Sequence, residues 1–549
     1  MSGLAASLLW WSIESIKSLI VGAGSVGHRL LLLALPGAGM LLSLLALRFL
    51  VKDDISHGVT KVLLAVSRNE SRIKPHNTWS SILTSALTIG FGGSVGAEAP
   101  IVYTGAAIGS NLGQRAGLSY RSVTILLGCG AAGALAGIFK APLAGVLFTM
   151  EILLFNITLS SMLPLLVSTI SATVTASLLR GQTPLFACEL TPFSMGNLPF
   201  YIVLGIILGF GALYFTNTTL WLEDKIARIR SPYLRWALCA SALGLMIFLF
   251  PELYGEGYSV VSDLLAGKSR AHGDLTGWMV PLLFTAVFLV KVFAMTATNS
   301  GGGNGGTFGP TLFCGAVAGF AVARCFNLAG ASLPEQNFVL TGMAALMAGV
   351  MQAPMTAIFL IAEISGGYAL LIPLTLASTA AYGTVRFFNN YSIYSKRIAQ
   401  SGDLLTHDSD QAVLTLMHTR DLIRDKYPRR ILGASLRELV AAASESTAAV
   451  IAITDAEGKF QGLIDLGNVR KYLLQTELYD SLKVENIMEE APATLGEDEK
   501  MESVMAKFDS TGAWRLPVLD RERRYLGFIS RSRLLTAYRN ELRAISNSD

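Results

Sequence analysis

Charge is what this chain has least of. Asp, Glu, Lys and Arg make up 15% of its 549 residues, against roughly 25% in a soluble globular domain. That shortfall excludes a purely soluble protein, since hydrophobic residues fill 52% of the positions and the mean hydropathy is +0.50. Cysteine is also scarce. The five present, Cys129, Cys188, Cys239, Cys314 and Cys325, are odd in number, scattered and mostly inside apolar stretches. They read as small buried hydrophobes rather than a disulfide framework. The six histidines have no HxxxH or CxxC partners, so no metal or other cofactor is expected. The net charge of +4 has no basic run with interleaved aromatics, which argues against nucleic acid. No nucleophile–base pair stands out, and GGGNGG at 301–306 lacks the Lys-Ser/Thr of a phosphate loop. An enzyme is not expected. Leu4–Trp11 is too short for a cleavable signal and runs into Glu14 and Lys17.

Long apolar runs are what the chain has instead. Leu30–Val51, Pro164–Leu179, Tyr201–Thr216, Trp236–Phe250 and Trp278–Met295 each approach the ~20 residues a helix needs to cross a bilayer. Ser80–Phe91 and Thr311–Ala323 look too short to cross alone. Short apolar helices ending at glycine-rich breaks suggest helices that stop partway through the membrane. After Lys396 charged residues become frequent and the text reads as a soluble α/β domain. The boundary is placed near Ser401, giving a multi-pass membrane region over 1–400 and a tail over 401–549. Arg228, Arg230 and Arg235 mark a cytoplasmic loop by the positive-inside rule. The expected location is a plasma (inner) membrane with the tail in the cytosol. Lys291 and Arg386 are expected to snorkel to the interface. Met343, Met347, Met351 and Met355 recur at helical spacing and read as packing.

The membrane region repeats itself, in halves of about 30–180 and 200–390. Shifting by 210 puts Gly92, Gly93, Gly96, Pro100, Gly105, Ala106 and Gly109 on Gly302, Gly303, Gly306, Pro310, Gly315, Ala316 and Gly319. Shifting by 212 puts Gly137, Ala141, Pro142, Glu151 and Ile152 on Gly349, Ala353, Pro354, Glu363 and Ile364. Two motifs in the same order at nearly one offset indicate a duplicated half.

These motifs suit an anion. Glycine removes the Cβ that would block a ligand, and proline in a first helical turn gives up an N–H that would be unpaired there anyway. The product is a helix start with free N–H groups and a positive dipole end in low-dielectric surroundings. Two such starts, one per copy, are expected to meet near the midplane. The copies differ at one telling place: Glu98 corresponds to Phe308. A carboxylate beside a helix start can occupy the anion's place and leave it on protonation, and an acidic residue at that depth is a functional candidate. The plainer alternative makes Glu98 a helix cap facing a watery vestibule.

At these residues the chain resembles the CLC family of chloride channels and chloride/proton exchangers. GSVGAEAP (Gly93–Pro100) is similar to the family's GxEGP-type segment, which would make Glu98 the external gating glutamate. GGTFGP (Gly305–Pro310) is similar to its GxFxP segment, which implies that the amides of Thr307 and Phe308 face the central anion. APLAGVLFTMEI and GMAALMAGVMQAPMTAIFLIAEISGGY match through the second part of each copy. Tyr394, in SIYSKRI, stands where the family places a tyrosine whose hydroxyl touches the inner anion. The resemblance implies an all-α polytopic fold with inverted repeats, a homodimer in membrane lipid and a monovalent anion as cargo.

Three departures qualify it. The family's GSGIP segment reads Ser56-His57-Gly58-Val59-Thr60 here, so an imidazole stands at the usual serine. Either the His57 ring donates an N–H to the anion, or it turns aside and the backbone of Gly58 and Val59 coordinates; both readings stay open. Ala97 and Ala99 replace a basic residue and a glycine often found beside the gate. Exchangers commonly carry an inner glutamate where this chain has Ile152, which cannot carry a proton. That resembles the channel branch, although some exchangers also lack it. Glu151 and Glu363, at equivalent positions, read as structural.

The tail holds a second duplication, at an offset of 65: Asp455 with Gly462-Leu463-Ile464 falls on Asp520 with Gly527-Phe528-Ile529. Each copy reads strand, turn, strand, helix, and the pair, about 428–480 and 484–542, resembles a CBS-domain pair. Such pairs often bind adenine nucleotides through Ser/Thr and Asp three residues apart. Here those positions are Asp465 and Asn468, then Ser530 and Arg533. Neither copy keeps both, which favours a dimerising or gating role without nucleotide. The leading expectation is a passive chloride path gated by Glu98, with a proton-coupled exchanger of the same fold next and a CBS-regulated cation transporter further off.

Overall fold

The computed structural model describes residues 1–22, 28–68, 71–153, 159–186, 191–268, 277–400, 417–424, 427–444, 449–473 and 475–546. Ser401 and Cys188 lie outside the described residues. The chain divides into two compact units, Met1–Leu405 and Thr406–Asp549.

The first unit is helical throughout. Its elements are α1 (Ser2–Gly22), α2 (His28–Leu45, running on as a π-helical stretch through Ala46–Val51), α3 (Gly58–Arg68) and α4 (Ser80–Gly90). Next come α5 (Glu98–Arg115), α6 (Tyr120–Phe139), α7 (Pro142–Glu151) and α8 (Leu159–Arg180). The second half follows with α9 (Leu198–Ala227), α10 (Pro232–Leu249), α11 (Tyr258–Leu265) and α12 (Met279–Ser300). It ends with α13 (Phe308–Leu328), α14 (Glu335–Met351), α15 (Pro354–Ile364), α16 (Leu371–Phe388) and α17 (Ile393–Gln400). Among the described residues seven helices are long and apolar enough to cross a membrane, the five expected runs among them. Thr311–Ala323 is not short after all. It belongs to α13, whose 21 residues continue past Arg324, where the charge broke the apolar pattern without breaking the helix. Among the described residues, helices α3, α4, α7 and α15, at 10 to 11 residues, are the short apolar ones.

Local chemistry places the breaks. Helix α6 stops at Lys140 (φ +57°) and α14 at Gln352 (φ +53°), both in the left-handed region without being glycine. An Ala-Pro pair then restarts the chain, with Pro142 and Pro354 in the first turn of α7 and α15.

The packing repeats as the sequence does. Helix α1 lies on α4, α6 and α8; α9 lies on α12, α14 and α16; α2 meets α10. The duplication therefore reaches back to α1, ahead of residue 30. Glycine lets the second pair of each copy close up: a Cβ on Gly109 would sit 1.9 Å from Leu126 O, and one on Gly319 2.2 Å from Phe338 O. The copies also exchange hydrogen bonds reciprocally. Ser94 N donates to Thr298 Oγ1 (3.2 Å) while Asn304 N donates to Thr88 Oγ1 (3.0 Å). Glu151 accepts from the N–H groups of Met355 and Thr356 at the start of α15 (3.0 and 2.7 Å). Glu363 accepts from Leu143 and Ala144 at the start of α7 (3.1 and 2.9 Å). Each carboxylate caps the other copy's helix.

The second unit is built the same way. β1 (Arg429–Ile431), β2 (Val450–Thr454) and β3 (Phe460–Asp465) form one sheet in that order, parallel then antiparallel. β4 (Leu495–Gly496), β5 (Arg515–Leu519) and β6 (Tyr525–Ser530) repeat it, with the register shifting at Ile453/Thr454 and at Val518/Leu519. Asp455 takes the amides of Glu457 and Lys459 in its turn, and Asp520 those of Glu522 and Arg524. The Lys459 amide holds the Asp455 carboxyl below its usual range. Phe460 N donates to Arg523 O and Tyr525 N to Gly458 O, both at 3.0 Å, tying one copy to the other.

Candidate anion-binding site

The two glycine-rich segments meet. Gly96 and Gly306 form an antiparallel bridge, Gly96 N to Gly306 O at 3.1 Å and Gly306 N to Gly96 O at 2.7 Å. The bridge sets the start of α5 against the start of α13. The first turn of any helix leaves N–H groups without an intrahelical acceptor, so two donor ends share one buried spot. Helix α3 brings a third. A Cβ on Gly58 would lie 2.8 Å from Ala99 O, and one on Gly306 2.8 Å from Ala99 Cβ, so Ala99 separates the start of α3 from the approach to α13.

Glu98, the first residue of α5, is 2% exposed. Its carboxylate does more than face its own helix start. It reaches across the bridge, accepting Gly309 N–H of α13 at 3.2 Å through Oε2 and the Tyr258 hydroxyl through Oε1. A negative group therefore lies at the amide end of the opposite copy's helix, where an anion would lie.

The other expected residues are placed by separate contacts. Thr307, the N-cap of α13, has its hydroxyl 3.3 Å from the Tyr394 hydroxyl, both buried. Phe308 is buried with its ring centroid 5.6 Å from that of Phe139 and 6.3 Å from that of Phe148. Ile152, just past α7, is buried and donates its N–H to Phe148 O at 2.9 Å, one aromatic layer from Phe308. Val59 is buried, and His57, half-buried, precedes α3 with φ +56° while its carbonyl accepts Lys61 N–H.

The sequence reading passed over Tyr258 and Glu256 and misplaced Lys291. Tyr258 opens α11, which starts from Gly257 at φ +86° much as α3 starts from His57. The counterpart positions are about 200 apart rather than 210, so a fixed offset misses them. Lys291 does not snorkel. It is fully buried on α12 and donates to Ser94 Oγ (2.8 Å) and Gly255 O (3.0 Å), tying the segment before Glu98 to the one before Tyr258. Glu256 stands between Gly255 and Gly257. Arg386 is exposed and bonds Gln352 Oε1 (3.3 Å).

Duplicated membrane halves whose broken helices aim their N-termini at a shared buried spot define a class of multi-pass membrane protein. The family model described as voltage gated chloride channel matches residues 38–386, and the chain belongs to that family, the CLC family. A CBS-domain model matches residues 484–540, the second tail copy. The first copy is recognisable by its matching strand order and register. A ClcB-like protein of Ralstonia nicotianae is 30% identical over 404 residues, 72% of this chain and 92% of that one. The voltage-gated ClC-type chloride channel ClcB of Citrobacter koseri is 31% identical over 58% of this chain and 75% of its own. The H(+)/Cl(-) exchange transporter ClcA of Salmonella newport is 27% identical over 75% of this chain and 88% of its own. Among solved structures, a slow cyanobacterial Cl-/H+ antiporter (22% identical, TM-score 0.62) covers 73% of this chain and 95% of its own. A eukaryotic CLC transporter (17% identical, TM-score 0.62) covers 97% and 96%. Tyr394 lies beyond the matched family segment, so its place in the site rests on its contact with Thr307.

Proposed function

We propose that the protein conducts chloride passively across the membrane, through a path that Glu98 opens and closes. The observation that carries this reading is the Glu98 carboxylate seated on the Gly309 amide at the start of α13. A carboxylate and a chloride compete for the same donors, so protonating Glu98 or raising chloride frees the path. Thr307, Phe308, Gly58, Val59 and Tyr394 line the anion's route, and at the central site either the His57 ring or the neighbouring backbone supplies a donor. Ile152 offers no titratable group where an exchanger's inner glutamate would be, which favours a channel over the chloride/proton antiport named for ClcA. Voltage dependence, a homodimer with one path per subunit, a plasma-membrane location and a cytosolic tail belong to the same reading and rest on family likeness. For the tail we propose a gating or dimerising role without adenine nucleotide. Asn468 is engaged with the Glu489 carboxylate (3.2 Å) and Arg533 with Asp421 O (3.3 Å), so neither position offers a free carboxylate to a ribose.

The test is purified protein in liposomes under a chloride gradient with no initial pH gradient. Without a protonophore, a channel leaves the internal pH unchanged while chloride moves. Uphill proton movement driven by chloride contradicts the channel and supports the antiporter.

A further inference from the structure

Glu98 is 2% exposed and both its carboxylate oxygens are engaged, by Tyr258 and Gly309, so a second group nearer solvent can pass it a proton. One carboxylate is placed to serve. Glu256 stands two residues before Tyr258, its side chain 15% exposed and 3.8 Å from Lys17 Nζ. Lys17 is also 3.3 Å from Glu14, whose side chain is 49% exposed. Exposure thus falls from Glu14 through Glu256 to the buried Glu98. The Glu256 segment is tied to the one before Glu98: Gly255 N–H donates to Gly92 O at 3.0 Å, and Lys291 joins Gly255 O to Ser94 Oγ. The groups turned toward it are Lys17 and Glu14 on α1, Lys291 on α12, Glu98 on α5 and Tyr258 on α11. With Arg228 and Arg230 on the cytosolic side, α10 carries the chain across, so Pro251–Gly257 opens toward the outer solution.

We propose that Glu256 is the residue through which protons from the outer solution reach Glu98. The inference rests on the gating reading of Glu98. In the step, the Glu256 carboxyl gives its proton to a Glu98 oxygen. That oxygen then no longer accepts from Tyr258 or Gly309, and the side chain leaves the start of α13. Glu256, left as a carboxylate beside Lys17, takes its next proton from outer water. Lys17 shares its charge between Glu14 and Glu256 and sets how readily Glu256 is protonated.

The test uses the full chain in planar bilayers, with pH stepped on one side at a time. Wild type, Glu256→Gln, Lys17→Met and Glu98→Gln are compared. Glu256→Gln is expected to slow the response to outer pH by on the order of 10²-fold, the usual worth of a positioned acid–base group, and to keep the response to inner pH. Lys17→Met is expected to move the outer response to higher pH, because Glu256 loses its cation, and it serves as the readout should Glu256→Gln fail to fold. Glu98→Gln is expected to lose both responses. Wild-type outer responses in both Glu256→Gln and Lys17→Met, with Glu98→Gln unresponsive, overturn the inference and leave the gate standing. Glu98→Gln that still responds overturns the gating reading beneath it.

Discussion

Glu98 makes two bonds that hold it at the start of α13, and each bond can be removed separately. Tyr258→Phe deletes the hydroxyl donor and keeps the ring, which packs edge-on against Phe186 with centroids 5.6 Å apart. A hydrogen bond to a charged group contributes about 1.5–3 kcal/mol. The balance between seated and released Glu98 is therefore expected to move about tenfold or more toward release, since about 1.4 kcal/mol is a factor of ten. Chloride efflux at neutral pH from Tyr258→Phe liposomes should rise accordingly; an unchanged rate would mean the hydroxyl does not hold the carboxylate. Glu98 itself was legible because a carboxylate just after a glycine-rich turn in an apolar stretch is anomalous. Tyr258 was not, because an aromatic at a helix start looks like any packing residue. Lys291 was misread because distance along the chain says nothing of which helix face is enclosed; its two acceptors, Ser94 and Gly255, come from segments 197 and 36 residues away.

Helices carry the duplication, and their ends carry the chemistry. Glu151 and Glu363 each neutralise amide donors at the start of the other copy's truncated helix, where a carboxylate also gains from the positive dipole end. Glu363→Ala strands the amides of Leu143 and Ala144, and the expected loss is about 2–3 kcal/mol. Thermal unfolding in detergent should show a clearly lower midpoint for Glu363→Ala and a similar drop for Glu151→Ala. Wild-type midpoints for both would show that water replaces the carboxylates without loss. The paired motifs ending in Glu151 and Glu363 marked the duplication and a structural role for both carboxylates, because glycine and proline leave marks that survive duplication, but not the exchange of caps. The ends of helices were harder. Lys140 and Gln352 stop α6 and α14 in a left-handed conformation that neither residue advertises, and Arg324 gave α13 a false end.

At the scale of the whole molecule, both units are duplications joined by reciprocal hydrogen bonds, Gly96 with Gly306 in one, and Phe460 with Arg523 and Tyr525 with Gly458 in the other. In the tail, a cavity of about 370 Å³ beside Arg533 is lined by His418, Asp421, Thr536 and Asn540. It presents a guanidinium where a nucleotide-binding CBS copy carries a carboxylate. Titrating ATP to about 1 mM, the concentration matching some 4 kcal/mol of binding, into full-length protein is expected to give no saturable heat; a saturable isotherm would reverse that assignment.

The measurement that bears most directly on the account is chloride efflux from liposomes holding wild type or Glu98→Ala, followed across pH. With the carboxylate gone, the start of α13 has no resident competitor, so Glu98→Ala should pass chloride rapidly and at one rate from acid to neutral pH, while wild type slows as pH rises. Efflux from Glu98→Ala that keeps the wild-type rate and the wild-type pH response would contradict the claim that this glutamate stands in for the anion.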